Sequence, residues 1–340
     1  MYRIGTQVEP LVSVTVPTYN RPDYLRQALG SAVKQTYRNI EIIVSDNASP
    51  QSALSVVQEF DDPRIRFVRH ETPLTMFGNH MYGFRNAKGK YVASLHDDDI
   101  WKENFLEKLV PMLEADSDLI VAFCSQWVID QNSQVSEART QHYNAAIGRA
   151  NLRSGLYQPF MELALQKLAI QPASSAVIRR EAIDWHAVPE HVGPMWDVYL
   201  SYKMASTGME AYFLNEKLTF YRIHGQSDTG KTPSLKDKMN AAVFQMACYS
   251  QILQEDEESK VLSEALREHI RHRWQHACTS VGIALMKLKR IREARKYFVQ
   301  AMEESLLDSR TWAAYGLSLM PPPSQPLRKW LLDVTVKARA

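Results

Sequence analysis

Short apolar runs and helical stretches alternate through the first hundred residues, and that order admits few folds. "LVSVTV" (11–16) is predicted as a strand that runs into the turn "PTYN". Pro22 falls in a first helical turn, where a missing N–H is tolerated, and Leu25, Leu29, Ala32 and Val33 share one helical face. "IEIIV" (40–44) is a second β-branched strand, ending in the turn-forming "SDNASP". Residues 51–60 read as helix, "IRFV" (65–68) as strand, and "GNHMYGFRNAKG" as a short helix closed by Gly89. "YVASL" (91–95) is the next strand and runs straight into "HDDD". Such alternation gives a mostly parallel sheet with right-handed crossovers, whose ligands gather beyond the carboxyl ends of the strands. "PTYN", "SDNAS" and "HDDD" all belong to that rim.

The pattern changes near residue 117. "DLIVAFCSQWVI" is a long strand, and 131–155 is polar and poorly periodic, which predicts a mobile loop. "ASSAVI", "AYFL" and "KLTFYRI" are three further strands, with a helix near 196–207. After a loop at 225–235, residues 236–319 read as helix throughout. Within them Gly282, Ala294, Phe298 and Ala301 match the spacing of one tetratricopeptide-like helix pair. One repeat is not an array, so a helical cap is expected rather than a peptide-binding module.

Charge and cysteine usage exclude several classes. Lys+Arg 40 against Asp+Glu 38 gives no reason to expect nucleic acid or anionic lipid as a partner. Cys124, Cys248 and Cys278 are an odd, widely spaced set, which argues against a disulfide framework or a zinc knuckle and fits a reducing compartment. The opening "MYRIGTQVEP" has no apolar signal core, and no run approaches the ~18 apolar residues of a membrane span. A cytoplasmic protein is expected, with the helical tail as the place for any peripheral contact with a membrane's inner face or with another protein.

Three consecutive aspartates, Asp97, Asp98 and Asp99, raise the local electrostatic energy unless a cation sits among them or their side chains point apart. Hard divalent ions such as Mn2+ or Mg2+ take one or two carboxylates plus the phosphates of a bound nucleotide, and a strand-end acidic pair leaves positions open for phosphate. The alternative is a solvated acidic turn capping a helix that starts near Lys102.

"VSVTVPTYNRPDYLRQALGSAVKQTYRNIEIIVSDNAS" followed by "AKGKYVASLHDDDIW" resembles the family 2 glycosyltransferases, which have the GT-A fold. The resemblance covers residues 10–110 closely and 170–228 more loosely. It implies a GT-A catalytic domain over 1–230, with a nucleotide-binding half at 10–115 and an acceptor half at 116–230. The sheet would be mixed, mostly parallel and flanked by helices, and 231–340 would be an all-helical extension. It implies transfer of a sugar, with inversion, from a UDP- or dTDP-linked donor to a hydroxyl of a saccharide or lipid-linked saccharide, in surface polysaccharide or glycoconjugate synthesis.

Residue by residue, the resemblance assigns the turn Pro17, Thr18, Tyr19 and Asn20 to the nucleotide, with Thr18 and Tyr19 flanking the base. Asp46 would accept the imide N–H of a uracil or thymine ring, which adenine does not offer. Asp97 would face the ribose and Asp98 would hold the Mn2+ or Mg2+ ion. Asp99 and His224 are the neighbouring candidate ligands, Asp99 being also suited to support the turn. Asn79, Arg222 and Lys231 are candidates for the diphosphate side. Asp197 in "MWDVYLSYKMA" would be the general base that takes the acceptor's proton. Two positions depart from the family pattern: His96 stands where many members have the first aspartate, and Trp196 where a glutamate is usual.

Other readings are weaker. "GQSDTGKT" (225–232) satisfies the P-loop expression, but Pro233 follows at once and no later strand is predicted to supply the partner aspartate. "PTYNRP" has no glycine to admit a pyrophosphate, against a dinucleotide oxidoreductase. His269, His272 and His276 share a helical face, but Arg267, Arg271 and Arg273 crowd the same region and disfavour a dication, so it reads as a solvated basic surface and not a metal site. A degenerate transferase fold serving as a scaffold is the non-enzymatic alternative.

Overall fold

The computed structural model describes residues 9–171, 173–225, 227, 232–305 and 308–320, in two compact units, Met1–Lys231 and Thr232–Ala340. In the first unit β1 (Val12–Thr18), α1 (Pro22–Val33), β2 (Ile40–Asp46), α2 (Leu54–Gln58), β3 (Ile65–Arg69), α3 (Met76–Arg85) and β4 (Tyr91–Ser94) alternate as the sequence predicts. β5 (Ile100–Trp101) and α4 (Phe105–Ala115) follow. The acidic run therefore enters a short strand before any helix, and does not cap one.

β1 and β4 are buried along their whole length, and β2 nearly so, as expected of strands covered on both faces. β1 lies parallel to β2 and to β4, with Thr18 opposite Asp46 and Thr15 opposite Ser94, so the three following loops open side by side. α3 ends at Arg85, short of Gly89. Gly89 instead lies against the start of β1, where an added Cβ would come within 2.6 Å of the Leu11 carbonyl oxygen.

The rest of this unit comprises β6 (Leu119–Ile129), α5 (Glu137–Ala146), β7 (Gly155–Tyr157), α6 (Met161–Leu165), β8 (Ala176–Arg179), α7 (Trp196–Ser206) and β9 (Glu210–Arg222). The sheet runs β3-β2-β1-β4-β8-β6-β9-β5, with β7 also on β9. It is parallel from β3 to β4, antiparallel on either side of β8, and parallel again between β6 and β9. "AYFL" and "KLTFYRI" are one strand and not two: the register against β6 slips on either side of Ser125, and that irregularity takes up the intervening polar residues.

The stretch 131–155 is not an open loop. Ser136 caps α5 by accepting the Arg139 N–H, and the helix docks on β6 through polar groups. The Thr140 hydroxyl oxygen accepts the Val128 N–H at 2.9 Å, and the Asn144 amide donates to the Gln126 carbonyl at 3.0 Å. A helix seated by hydrogen bonds shows no apolar periodicity.

The second unit holds α8 (Leu235–Ser259), α9 (Glu264–Lys287), α10 (Ile291–Glu304) and α11 (Ser309–Leu319). Its core centres on Phe298, Ala294, Val281 and Ala314. Gly282 is required there, since a Cβ would meet the Phe298 ring at 2.4 Å. The P-loop-like run falls largely on residues outside those described, and α8 follows it with a Ser234/Asp237 capping box. Among the described residues all later elements are helices.

Candidate active site

The three aspartates separate as the electrostatics require. Asp97 turns toward β1, accepting the Thr18 hydroxyl at 2.9 Å and the Tyr19 N–H at 3.2 Å. Asp99 turns inward, accepting the Ser174 hydroxyl at 2.6 Å and the Arg222 N–H at 3.0 Å. Asp98 is the least enclosed; one of its oxygens lies 3.1 Å from His224 Nε2. The Arg21 Nη1 group bridges Asp97 and Asp98 at 3.0 and 2.8 Å. This is the cation that three adjacent carboxylates call for. It stands one residue before Pro22, and sequence reading passed over it although the charge argument asked for it.

Burial, then the neighbouring Asp98 charge, pushes the Asp97 carboxyl up to about 6 and Asp99 well above the ordinary carboxylate range. Arg21 offsets this in part at Asp97. His96, Asp98 and Asp99 bring one ligand atom each within 4.8 Å of one another. His96 Nε2 is buried without a hydrogen-bond partner among the described residues. One imidazole and two carboxylates, one of them accessible, are donors that could hold a divalent ion; the carboxylates suit Mn2+ or Mg2+, and the imidazole favours Mn2+ of the two.

The two departures from the family pattern belong to one packed group. His80 on α3 sets its ring 5.3 Å from His96 and 5.2 Å from Trp196, which opens α7. Its Nδ1 lies 2.9 Å from the Met76 carbonyl oxygen, so that nitrogen carries the proton. Burial holds His80 down at about 3 and lowers His96 too, so both rings are neutral. An aromatic ladder thus links the acidic strand end to the first turn of α7.

Asp197 lies in that turn, half-buried, accepting the Val198 N–H at 2.8 Å. The N-cap position is Met195, so Asp197 does not serve as the cap. Burial raises its carboxyl to about 6. The Tyr143 hydroxyl is pushed up to about 12, chiefly by burial, with Asp197 and Asp99 both adding to the effect. Tyr143 and His224 line a cleft of about 710 Å³ together with Asp130, Arg139 and His142.

Several expected site residues have other duties. Asp46 is fully buried, and its two oxygens accept the N–H groups of Ser49 and Ala53 at 3.1 and 3.2 Å; it anchors the loop after β2 and offers no surface to a base. Asp46→Ala should lower stability by about 2–4 kcal/mol, since two buried N–H groups lose their acceptors. Chemical denaturation measures this, and unchanged stability would contradict the anchoring role. Arg222 is buried beneath the acidic turn, donating to the carbonyls of Asp98 and Asp130, to Ser133 and to Gln27; it braces the turn and does not reach phosphate. Asn79 is buried, accepting the Ser45 hydroxyl at 2.7 Å and donating to the Thr18 carbonyl at the end of β1 at 3.5 Å.

Thr18 is buried and spends its hydroxyl on Asp97. Pro17 is buried in β1, whereas Tyr19 and Asn20 are exposed at its rim, with the Asn20 N–H on Ser49 Oγ at 2.9 Å. Lys231 lies outside the described residues.

The description "Glycosyl transferase family 2" matches residues 13–185. The chain belongs to the family 2 glycosyltransferases. The Escherichia coli UDP-Glc:alpha-D-GlcNAc-diphosphoundecaprenol beta-1,3-glucosyltransferase WfgD is 32% identical over 127 residues, 37% of this chain and 50% of that protein. The aligned part spans half or less of the length of such relatives. Residues 1–349 of Staphylococcus aureus TarS in complex with UDP-GlcNAc superpose with a TM-score of 0.60 at 14% identity, covering 90% of both chains. The Pyrobaculum calidifontis mannosyltransferase PcManGT, in complex with GDP-Man and Mn2+, gives 0.57 at 18% identity over 97% of this chain and 87% of that one. This family 2 glycosyltransferase therefore has the GT-A fold, a mixed sheet flanked by helices with a helical C-terminal region.

Proposed function

We propose that the protein transfers a sugar from a UDP- or dTDP-linked donor to a hydroxyl of a saccharide or lipid-linked saccharide, with inversion at the anomeric carbon. The observation that carries this is the disposition of two carboxylates. Asp98 stands accessible at the carboxyl end of β4, and Asp197, held partly protonated near pH 6, is tied to it through the His96–His80–Trp196 ladder.

Each residue then has a task. Tyr19 offers its exposed ring to the nucleobase. Asp97 holds the β1 turn and Arg21 in place, and Arg21 supplies positive charge where the diphosphate would lie. Asp98, with His96 and Asp99 in the same cluster and His224 beside it, would hold the Mn2+ or Mg2+ ion, which would neutralise charge on the departing nucleotide. As the acceptor oxygen forms its bond to the anomeric carbon and the bond to the diphosphate breaks, Asp197 takes the acceptor's proton. The cleft lined by Arg139, His142 and Tyr143 is the acceptor's entrance. With Asp46 withdrawn from base reading, a pyrimidine donor is supported by WfgD, named for UDP-Glc, and by TarS with UDP-GlcNAc. Polysaccharide or glycoconjugate synthesis is the setting that fits such a donor and acceptor.

A thermal-shift panel of nucleotide-sugars with and without Mn2+ tests the reading, because a ligand that binds only the folded state raises its melting temperature. UDP- or dTDP-sugars should shift it, more so with Mn2+, and ADP-sugars should not. No shift with any donor, together with no donor hydrolysis, would leave the scaffold alternative standing.

A further inference from the structure

The excess positive charge of a nearly balanced chain is concentrated at one corner of the helical unit. Between Lys287 and Lys296 six lysines and arginines face a single glutamate, whereas the whole chain has 40 cations to 38 anions. The corner is a tight, ordered turn between α9 and α10: Leu288, Lys289 and Arg290 donate their N–H groups to Ala284, Met286 and Leu285, and Lys289 adopts φ 64. Arg290 pairs with Glu293, and Arg295 reaches the Ser318 carbonyl at the end of α11. Lys289, Arg292 and Lys296 are exposed and make no ion pair among the described residues.

The Arg295–Ser318 contact also brings the end of α11 alongside the first turns of α10. Leu319 and Met320 therefore lie at the same end of the unit as Leu288, and the three are 55%, 60% and 42% exposed. Basic side chains around a few protruding apolar ones match the chemistry of an anionic lipid surface, which attracts the cations and takes the apolar groups into its interface. A nucleic acid would use the cations and leave the apolar groups in water. No helix among the described residues is long and apolar enough to cross a membrane, so the contact would be peripheral.

We propose that the α9–α10 corner, with Leu288, Leu319 and Met320, docks the protein on an anionic bilayer. The proposal stands whether or not the transferase reading holds. Its test is sedimentation of the full chain with vesicles of phosphatidylcholine alone or mixed with phosphatidylglycerol. The protein should partition onto the anionic vesicles only, and less so as salt rises. The triple variant Lys289→Glu, Arg292→Glu, Lys296→Glu should bind about a hundredfold less, as expected when three basic contacts with an anionic surface are lost. Leu288→Ser with Leu319→Ser should weaken binding without changing its salt dependence. All of these positions are exposed, and an unchanged melting temperature confirms that the variants fold. Absence of binding, equal binding to neutral vesicles, or an unaffected triple variant overturns the proposal. So does binding to duplex DNA or RNA in place of vesicles that is lost in the same triple variant.

Discussion

Asp197→Asn should lower sugar transfer by about 10²–10⁴-fold, the usual worth of a positioned base, while leaving donor affinity unchanged. Asparagine keeps the shape of the side chain and cannot take the proton. The same burial that raises this carboxyl from its ordinary 3.8 to about 6 sets two further signs. The parent's kcat/KM should fall as pH drops through about 6, because the protonated acid is no base. For stability the folded state binds the proton more tightly than the unfolded chain, so stability declines as pH rises from about 4 to about 6. The ionised carboxylate is thus a burden at neutral pH, and the asparagine variant should melt at the same temperature or higher there. Below pH ~4 that difference should vanish, both states being protonated. Rates, UDP affinity and melting curves across pH check all three. A variant with near-normal turnover would remove Asp197 from the mechanism.

The stretch from β1 to β4 was legible because β1, β2 and β4 are buried on both faces and write themselves as apolar runs, while each is followed by a turn whose residues cannot be core. β1, β2 and β4 fall within two residues of their predicted ends for that reason. α5 was not legible, since Thr140 and Asn144 attach it to β6 by hydrogen bonds and leave no apolar stripe. β9 looked like two strands because its irregular register places polar residues in mid-strand.

At the site, sequence shows which residue types stand at the rim but not which way each carboxylate turns. Asp46 and Asp98 both stand in strand-terminal turns, yet one faces its own loop's N–H groups and the other faces Arg21 and His224. Arg222 likewise reads as a phosphate ligand until its donors are found on the carbonyls of Asp98 and Asp130. His96 and Trp196 looked like two independent losses. His80 joins them, and nothing in the spacing of residues 80, 96 and 196 announces that contact.

Asp98→Asn should remove most turnover, a loss of at least about 10²-fold, which is typical when one group stabilising transition-state charge is deleted. Asp97 and Asp99 cannot substitute: the first is bonded to Thr18, Tyr19 and Arg21, and the second to Ser174 and the Arg222 backbone. The fold should survive, because an asparagine oxygen still accepts from Arg21. EDTA should reproduce the loss in the parent, and Mn2+ should raise the melting temperature of the parent with UDP while leaving the variant with UDP unmoved. Full activity of both the variant and the chelated parent would exclude a metal role for this motif. A third result separates two ways of handling charge on the leaving group. If the variant is inactive but EDTA has no effect, the role of Asp98 is to aim Arg21, whose Nη1 sits 2.8 Å away. Arg21→Ala should then be as damaging as Asp98→Asn, because it removes the Nη1 group that both carboxylates hold.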